Sequence, residues 1–310
     1  MKDASPRPGA AVALPAEGAC WTVLHLVRWS AEYLKTKGIA GGRLDAELLL
    51  AEVLGMDRLH LYLDHDRPLE PEELARFRTT LLARARRQPL QYILGRAHFR
   101  EVTLRTDPRV LIPRPETEEL VGAVLARVGL WDRTGLRALD LGTGSGAIAL
   151  SLALEGPFVQ VVGTDASGGA LDVARENAAH LGLEAKVELR LGDLFDPVAS
   201  GEAFDVIVSN PPYVSEGELP GLEPEVREWE PREALVSGGE DGTAFTFALI
   251  EGAATRLSSG GLLALEVGVG RAGRIAEKIR GVGGFGPPEV LRDLARRERI
   301  VLATRLGPEA

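Results

Sequence analysis

Between Trp21 and Ile93 the apolar residues recur at three- and four-residue steps, the period of a helix with one buried face. Leu24, Val27, Ala31 and Leu34 predict a first helix, stopped at Gly38. Leu44, Leu48 and Ala51 predict a second, ending near Gly55, and Pro71 opens a third that carries Leu74, Phe77, Leu81 and Leu82 on one face as far as Arg87. These positions read as the core of a small helical bundle over residues 21–93, with no catalytic role. Between Ile93 and Pro115 the period falls to two. Phe99, Val102 and Leu104 precede Asp107-Pro108, and Val110 and Ile112 follow it, which predicts a hairpin turning at that dipeptide and serving as a connector over residues 94–114. Pro113-Arg114-Pro115 breaks the pattern, and a helix is expected from Glu116 to about Val128.

Beyond Gly135 short apolar runs alternate with helical stretches. The runs Leu136–Leu141, Phe158–Gly163, Val187–Leu191, Phe204–Ser209 and Leu262–Val267 are bounded by Gly, Pro or Asp, and Ala170–Leu181 and Ala244–Leu257 lie between them with helical spacing. This is the signature of an α/β fold, a parallel sheet covered on both faces by helices, over residues 115–310. Glu289–Leu294 and Ile300–Leu306 are joined by too few residues for a helical crossover, so an antiparallel pair is expected at the sheet edge.

The chain has 310 residues, 36 Lys+Arg against 45 Asp+Glu, and a net charge of −9. The length suits two domains with real cores. No apolar run approaches a membrane span, and the acidic balance argues against a broad grip on nucleic-acid phosphates. A lone cysteine, Cys20, excludes an internal disulfide framework, and five scattered histidines give no metal-ligand spacing, so no metal site is expected. The Ala-, Pro- and Gly-rich residues 1–20 read as a flexible tail without the pattern of an export signal, which points to a cytoplasmic protein.

Two loops carry chemistry. Asp140-Leu141-Gly142-Thr143-Gly144-Ser145-Gly146-Ala147 joins a buried strand to a helix, where doubly wound folds bind their cofactor. Asp165 ends the next strand, where a carboxylate can accept both hydroxyl hydrogens of a ribose. Asp193, after the third strand, can take an adenine amino group, and Leu194 can cover the ring. This loop and its acid fit S-adenosylmethionine, but they also satisfy the dinucleotide pattern of a nicotinamide enzyme, and a tight glycine turn without ligand has the same look. Asp193 and the antiparallel last strand lean toward the methyl donor.

The second loop, Asn210-Pro211-Pro212-Tyr213, follows the fourth strand. Two successive prolines stiffen the backbone, so that the Asn210 side-chain oxygen and the Pro211 carbonyl offer two acceptors to one planar NH₂ group. An amide nitrogen is a poor nucleophile. Holding both its hydrogens aims it at a methyl group and stabilises the charge that develops on it, with no strong base required. Tyr213 can pack on the planar group and exclude water. Such a tetrapeptide can also be no more than a turn.

With these residues in view, the sequence resembles the PrmC/HemK release factor glutamine N5-methyltransferases. The resemblance runs through most of the chain: Pro89-Leu90-Gln91-Tyr92-Ile93-Leu94-Gly95, Leu111-Ile112-Pro113-Arg114-Pro115-Glu116-Thr117-Glu118, Asp140–Gly146, Asp165, Asn210–Tyr213 and Glu230-Pro231 stand in the family's order. It implies a helical N-terminal domain of five helices and a class I, Rossmann-like methyltransferase domain with a seven-stranded sheet. It implies S-adenosyl-L-methionine as cofactor, S-adenosyl-L-homocysteine as product, and the glutamine of the Gly-Gly-Gln motif in bacterial class 1 release factors as substrate. By the same resemblance Gly142, Thr143, Gly144, Ser145, Gly146, Asp165, Leu194 and Asn210 contact the methyl donor, Asn210–Tyr213 hold the glutamine, and Arg114–Thr117 close over the cofactor.

The sequence departs from the family pattern at Arg271, where a glutamine is usual, and at Thr243, where an apolar residue is common. The Asn-Pro-Pro-Tyr loop is shared with enzymes that methylate adenine or guanine amino groups. A nucleic-acid substrate is thus the alternative, weakened by the net charge, and an oxidoreductase would leave that loop without a job.

Overall fold

The computed structural model describes residues 21–239 and 241–307. The tail expected over residues 1–20, Cys20 included, lies outside them. The chain divides into two compact units, one ending at Leu94 and the other beginning at Gly95.

The first unit is helical: α1 (Val23–Thr36), α2 (Gly42–Leu54), α3 (Arg58–Leu63), α4 (Pro71–Ala85) and α5 (Leu90–Leu94). Two of the starts have a local cause. Pro71 occupies the first turn of α4, and Glu70 and Glu73 form a reciprocal capping box there. The Asp57 carboxylate accepts from the His60 N–H and caps α3. Leu26, Leu34, Leu49, Leu50, Phe77 and Leu81 are fully buried in one core, each stabilising by roughly 1.5–3 kcal/mol.

The second unit opens with an antiparallel hairpin, β1 (Arg96–Phe99) and β2 (Val102–Arg105). This corrects the expected turn at Asp107-Pro108, since the chain reverses at Arg100-Glu101 and Val110 and Ile112 belong to no strand. Arg100 turns with φ at +50°, a conformation costly for a side chain with a Cβ. Its guanidinium is held by the Glu155 carboxylate and the Glu118 carbonyl, which offsets that cost.

There follow α6 (Pro115–Val128), β3 (Leu136–Leu141), α7 (Ala147–Glu155), β4 (Phe158–Asp165), α8 (Gly168–Leu181), β5 (Val187–Leu191), β6 (Phe204–Ser209), α9 (Pro224–Trp229), α10 (Arg232–Leu235), α11 (Ala244–Ala253), β7 (Leu257–Glu266), α12 (Ala272–Val282), β8 (Glu289–Arg292) and β9 (Glu298–Thr304). The seven strands β3–β9 form one sheet in the order β5-β4-β3-β6-β7-β9-β8. All neighbours run parallel except β9, which is antiparallel to both β7 and β8. Alternate residues of β3 serve two cores: Leu136 and Ala138 join the one containing α6 and α7 residues, Leu139 and Leu141 the one containing α11 and α12 residues. The helix expected over Ala244–Leu257 stops at Ala253, and β7 begins at Leu257, paired with Phe204. Chain order reverses between β3 and β6. The carboxyl ends of these two strands therefore flank the crevice where such sheets bind ligands.

Candidate active site

A cleft of about 530 Å³ opens at that crevice, within the size range of small-molecule sites. Its lining includes Gly142, Gly144, Asp165, Asp193, Leu194, Asn210 and Pro212. Seven of the residues singled out in the sequence are thereby brought together from four separate loops. A wider hollow beside Gly284 and Arg305 lies at the opposite ends of the strands and gathers none of them.

The glycine loop is shaped for close approach. Gly142 and Gly144 have φ of +71° and +56°, and a Cβ on either would meet open space, so their backbone faces the cleft bare. Thr143, Ser145 and Gly146 are absent from the lining and build the loop from behind. The Thr143 hydroxyl donates to the buried Asp140 carboxylate at 2.7 Å, the Ser145 carbonyl accepts from Asn177, and Gly146 packs on Leu150. Burial pushes the Asp140 carboxyl up to about 7, and one of its oxygens has no hydrogen-bond partner among the described residues.

Asp165, the last residue of β4, is oriented through both oxygens. One accepts the Gly144 N–H at 2.9 Å, the other the Ser167 N–H at 2.8 Å. Burial is the chief influence on this carboxyl and pushes it upward, against those two hydrogen bonds. Each oxygen keeps a lone pair for a ligand hydroxyl. Asp193 and Leu194 stand just past β5, and Leu194 has φ of +44°. A leucine held in that region at a cleft wall is strain of the kind that collects at ligand sites. The set fits an adenosyl group: an oriented carboxylate for the ribose, a bare glycine turn, an apolar wall and a second carboxylate.

Asn210 follows β6 directly. Its side-chain NH₂ donates to the Thr117 hydroxyl at 3.0 Å, and that hydroxyl donates to the Glu266 carboxylate at 2.6 Å. The amide's donor end is thus engaged, leaving its oxygen as the free end. Glu266 is fully buried, and burial pushes its carboxyl up to about 7. The loop after Asn210 is pinned by strand-like bonds, Val214 N–H to the Leu235 carbonyl and Ser237 N–H to the Val214 carbonyl. Gly242, with φ of +70°, lies against the Tyr213 backbone so closely that any side chain there would strike it.

Pro211 and Tyr213 are not in the cleft lining. Tyr213 sits with its ring 5.6 Å from the Arg299 guanidinium and against Gly268. Arg114–Thr117 do not line the cleft either; Arg109, Val110 and Leu111 do. Arg114 instead pairs with the buried Glu230 carboxylate, whose second oxygen lies 3.4 Å from the Ile112 N–H. The two departures from the family pattern support loops around the site. Arg271 donates to the Asp241 carbonyl and to Glu218, and Thr243 donates to the Asp241 carboxylate.

Sequence reasoning missed the roles of Glu266, Gly242 and Arg109. A carboxylate closing an apolar strand, as Glu266 closes Leu262–Leu265, was the one available signal.

A family model described as the PrmC N-terminal domain matches residues 25–95, and one described as a methyltransferase domain matches residues 132–235. The chain is 45% identical over 252 residues to the release factor glutamine methyltransferase of Geobacter sulfurreducens, covering 81% of this chain and 86% of that one. It is 40% identical over 283 residues to that of Rhodopirellula baltica, covering 91% and 95%. Among solved structures, a T. thermophilus 16S rRNA N2 methyltransferase in complex with AdoMet and guanosine superposes with a TM-score of 0.50 at 22% identity, covering 68% of this chain and 49% of that one. That likeness shows a shared fold. No helix among the described residues is long and apolar enough to cross a membrane.

Proposed function

The chain belongs to the release factor glutamine methyltransferase family, and from that premise we propose that it methylates the side-chain amide nitrogen of the glutamine in the Gly-Gly-Gln motif of a bacterial class 1 release factor, using S-adenosylmethionine. The observation that carries the chemistry is the orientation of Asn210. Its nitrogen is tied to Thr117 and its oxygen is free at the cleft, beside the glycine turn and Asp165.

S-adenosylmethionine supplies an electrophilic methyl group when bound. In this reading Asp165 accepts the ribose hydroxyls, the Gly142–Gly144 turn lets the backbone approach the ligand, Leu194 covers the adenine and Asp193 receives its amino group. The Asn210 oxygen and the Pro211 carbonyl each accept one hydrogen of the substrate NH₂. That grip removes rotational freedom from the nucleophile and favours the positive charge that grows on nitrogen as it is methylated. The proton then leaves to water, so no residue has to act as a strong base. Tyr213, backed by Arg299, limits access from the far side of the loop.

The test is transfer of label from methyl-labelled S-adenosylmethionine to a purified release factor and to the same factor with alanine in place of the motif glutamine. Label on the first alone is expected. Equal label on both would place the methyl elsewhere, and none on either, with donor binding intact, would turn attention to nucleic-acid amino groups.

A further inference from the structure

We infer that Glu266 and Thr117 set which way round the Asn210 amide stands, and so make Asn210 an acceptor toward the substrate. Neither lines the cleft, so both are positioning residues. The inference rests on the methyl-transfer reading above for its activity readout, and on geometry for the rest. Three elements meet here: Asn210 follows β6, Glu266 ends the neighbouring strand β7, and Thr117 lies in the first turn of α6.

The direction of the chain follows from counting hydrogens. An ionised carboxylate only accepts, and a hydroxyl has one hydrogen to give. The Thr117 hydrogen goes to Glu266 at 2.6 Å, so toward Asn210 the hydroxyl has only a lone pair to offer. Only the NH₂ end of the amide can use it, at 3.0 Å, and the oxygen is turned the other way. A flipped amide would set two acceptors against each other in the core and two donors against the substrate NH₂. Thr117 is 4% exposed and Glu266 0%, so water is not at hand to repair either mismatch. The charges that act on Glu266 are Arg299, at 3.9 Å, Glu116, which Arg299 also approaches, and Arg114.

The test reverses the chain, well above pH 7 so that Glu266, pushed up to about 7, is ionised. Asn210→Asp places carboxylates on both sides of a hydroxyl with one hydrogen, and kcat should fall on the order of a hundredfold. Glu266→Gln alone should cost only a few-fold, because its amide can turn an oxygen toward Thr117. Combined, Gln at 266 donates to Thr117, Thr117 donates to Asp at 210, and the second carboxylate oxygen faces the cleft. The double variant should therefore exceed Asn210→Asp by about tenfold or more, where independent effects would multiply the losses. A double variant no more active than Asn210→Asp would overturn the inference.

Thr117→Val should lower kcat about tenfold with KM little changed, and Thr117→Ser should restore it. A fully active Thr117→Val would equally overturn it. A readout without turnover separates this inference from the substrate reading. In protein carrying isotope-labelled asparagine, the Asn210 NH₂ protons should exchange with solvent markedly faster in Thr117→Val than in the unaltered protein or Thr117→Ser. Unchanged exchange would contradict the relay even if the release factor proved not to be the substrate.

Discussion

Both units bury carboxylates paired with arginine, Asp45 and Glu47 in the one and Glu230 in the other, but the sheet unit also buries two that no arginine is seen to hydrogen-bond. In the helical unit the Asp45 carboxylate receives the Arg84 guanidinium at 2.7 Å, and Glu47 receives Arg43, Arg58 and the Tyr62 hydroxyl. Burial alone would raise the Glu47 carboxyl, but those three hydrogen bonds together outweigh it and hold the group below its ordinary value. In the sheet unit, among the described residues, Asp140 and Glu266 have no charged hydrogen-bond partner and each keeps one oxygen without a hydrogen bond, and both are pushed up to about 7. A charge fully answered by cations fixes a packing arrangement. A carboxylate hydrogen-bonded only by hydroxyl and N–H groups fixes the direction of a hydrogen-bond chain; Asp140 stands near the carboxyl end of β3 and Glu266 at that of β7.

Breaking the two kinds should give different losses. Asp45→Ala leaves the Arg84 charge buried without that partner and should cost about 3–5 kcal/mol of stability, read as a lower midpoint in denaturant. Donor affinity in the protein that remains folded should be unchanged; a selective loss of donor binding would blur the distinction drawn here. Asn210→Ala should do the reverse, lowering kcat by about a hundredfold or more with the denaturation midpoint nearly unmoved. An Asn210→Ala enzyme with near-normal turnover would remove the proposed mechanism.

Gly242→Ala acts on the same loop from behind. Because the new methyl group would meet the Tyr213 backbone, it should lower both stability and kcat, by about 1–3 kcal/mol in the former. The pH dependence is a gentler probe. Glu266 and Asp140 bind protons more tightly folded than unfolded, so the stability they lend is full below about pH 4 and is lost as pH rises toward about 7. Carboxyls held low, such as Glu47 and Glu202, act in the opposite sense, so the difference is what reads out: with Glu266→Gln the melting temperature should fall less, or rise more, across that window than in the unaltered protein. A slope that Glu266→Gln leaves unaltered would mean the carboxyl is not perturbed by folding.

The sheet was legible because its strands are short apolar runs between Gly, Pro and Asp. Leu136–Leu141, Val187–Leu191 and Phe204–Ser209 stand in the structure with the bounds their pattern predicts. Helix α3 was not, since Leu59 and Leu63 are exposed and its six residues carry no stripe; Asp57 as its cap was the only sign. The hairpin turn was misplaced because Arg100 is no turn former and adopts its positive φ through contacts with residues distant in sequence. The start of β7 was hidden by Gly260-Gly261, which read as a break but lie within the strand. At the site, the two chemical loops announced themselves by residue type. The Thr117–Glu266 bond did not, for its partners lie 149 residues apart and meet only when α6 packs beside the sheet.

The most direct measurement is fragment mass spectrometry of a release factor after incubation with the enzyme and S-adenosylmethionine, locating the added methyl to a single atom group. A methyl on the side-chain amide of the Gly-Gly-Gln glutamine, absent with Asn210→Ala enzyme, is the predicted result. A methyl on any other residue, or one that Asn210→Ala enzyme still installs, would contradict the account.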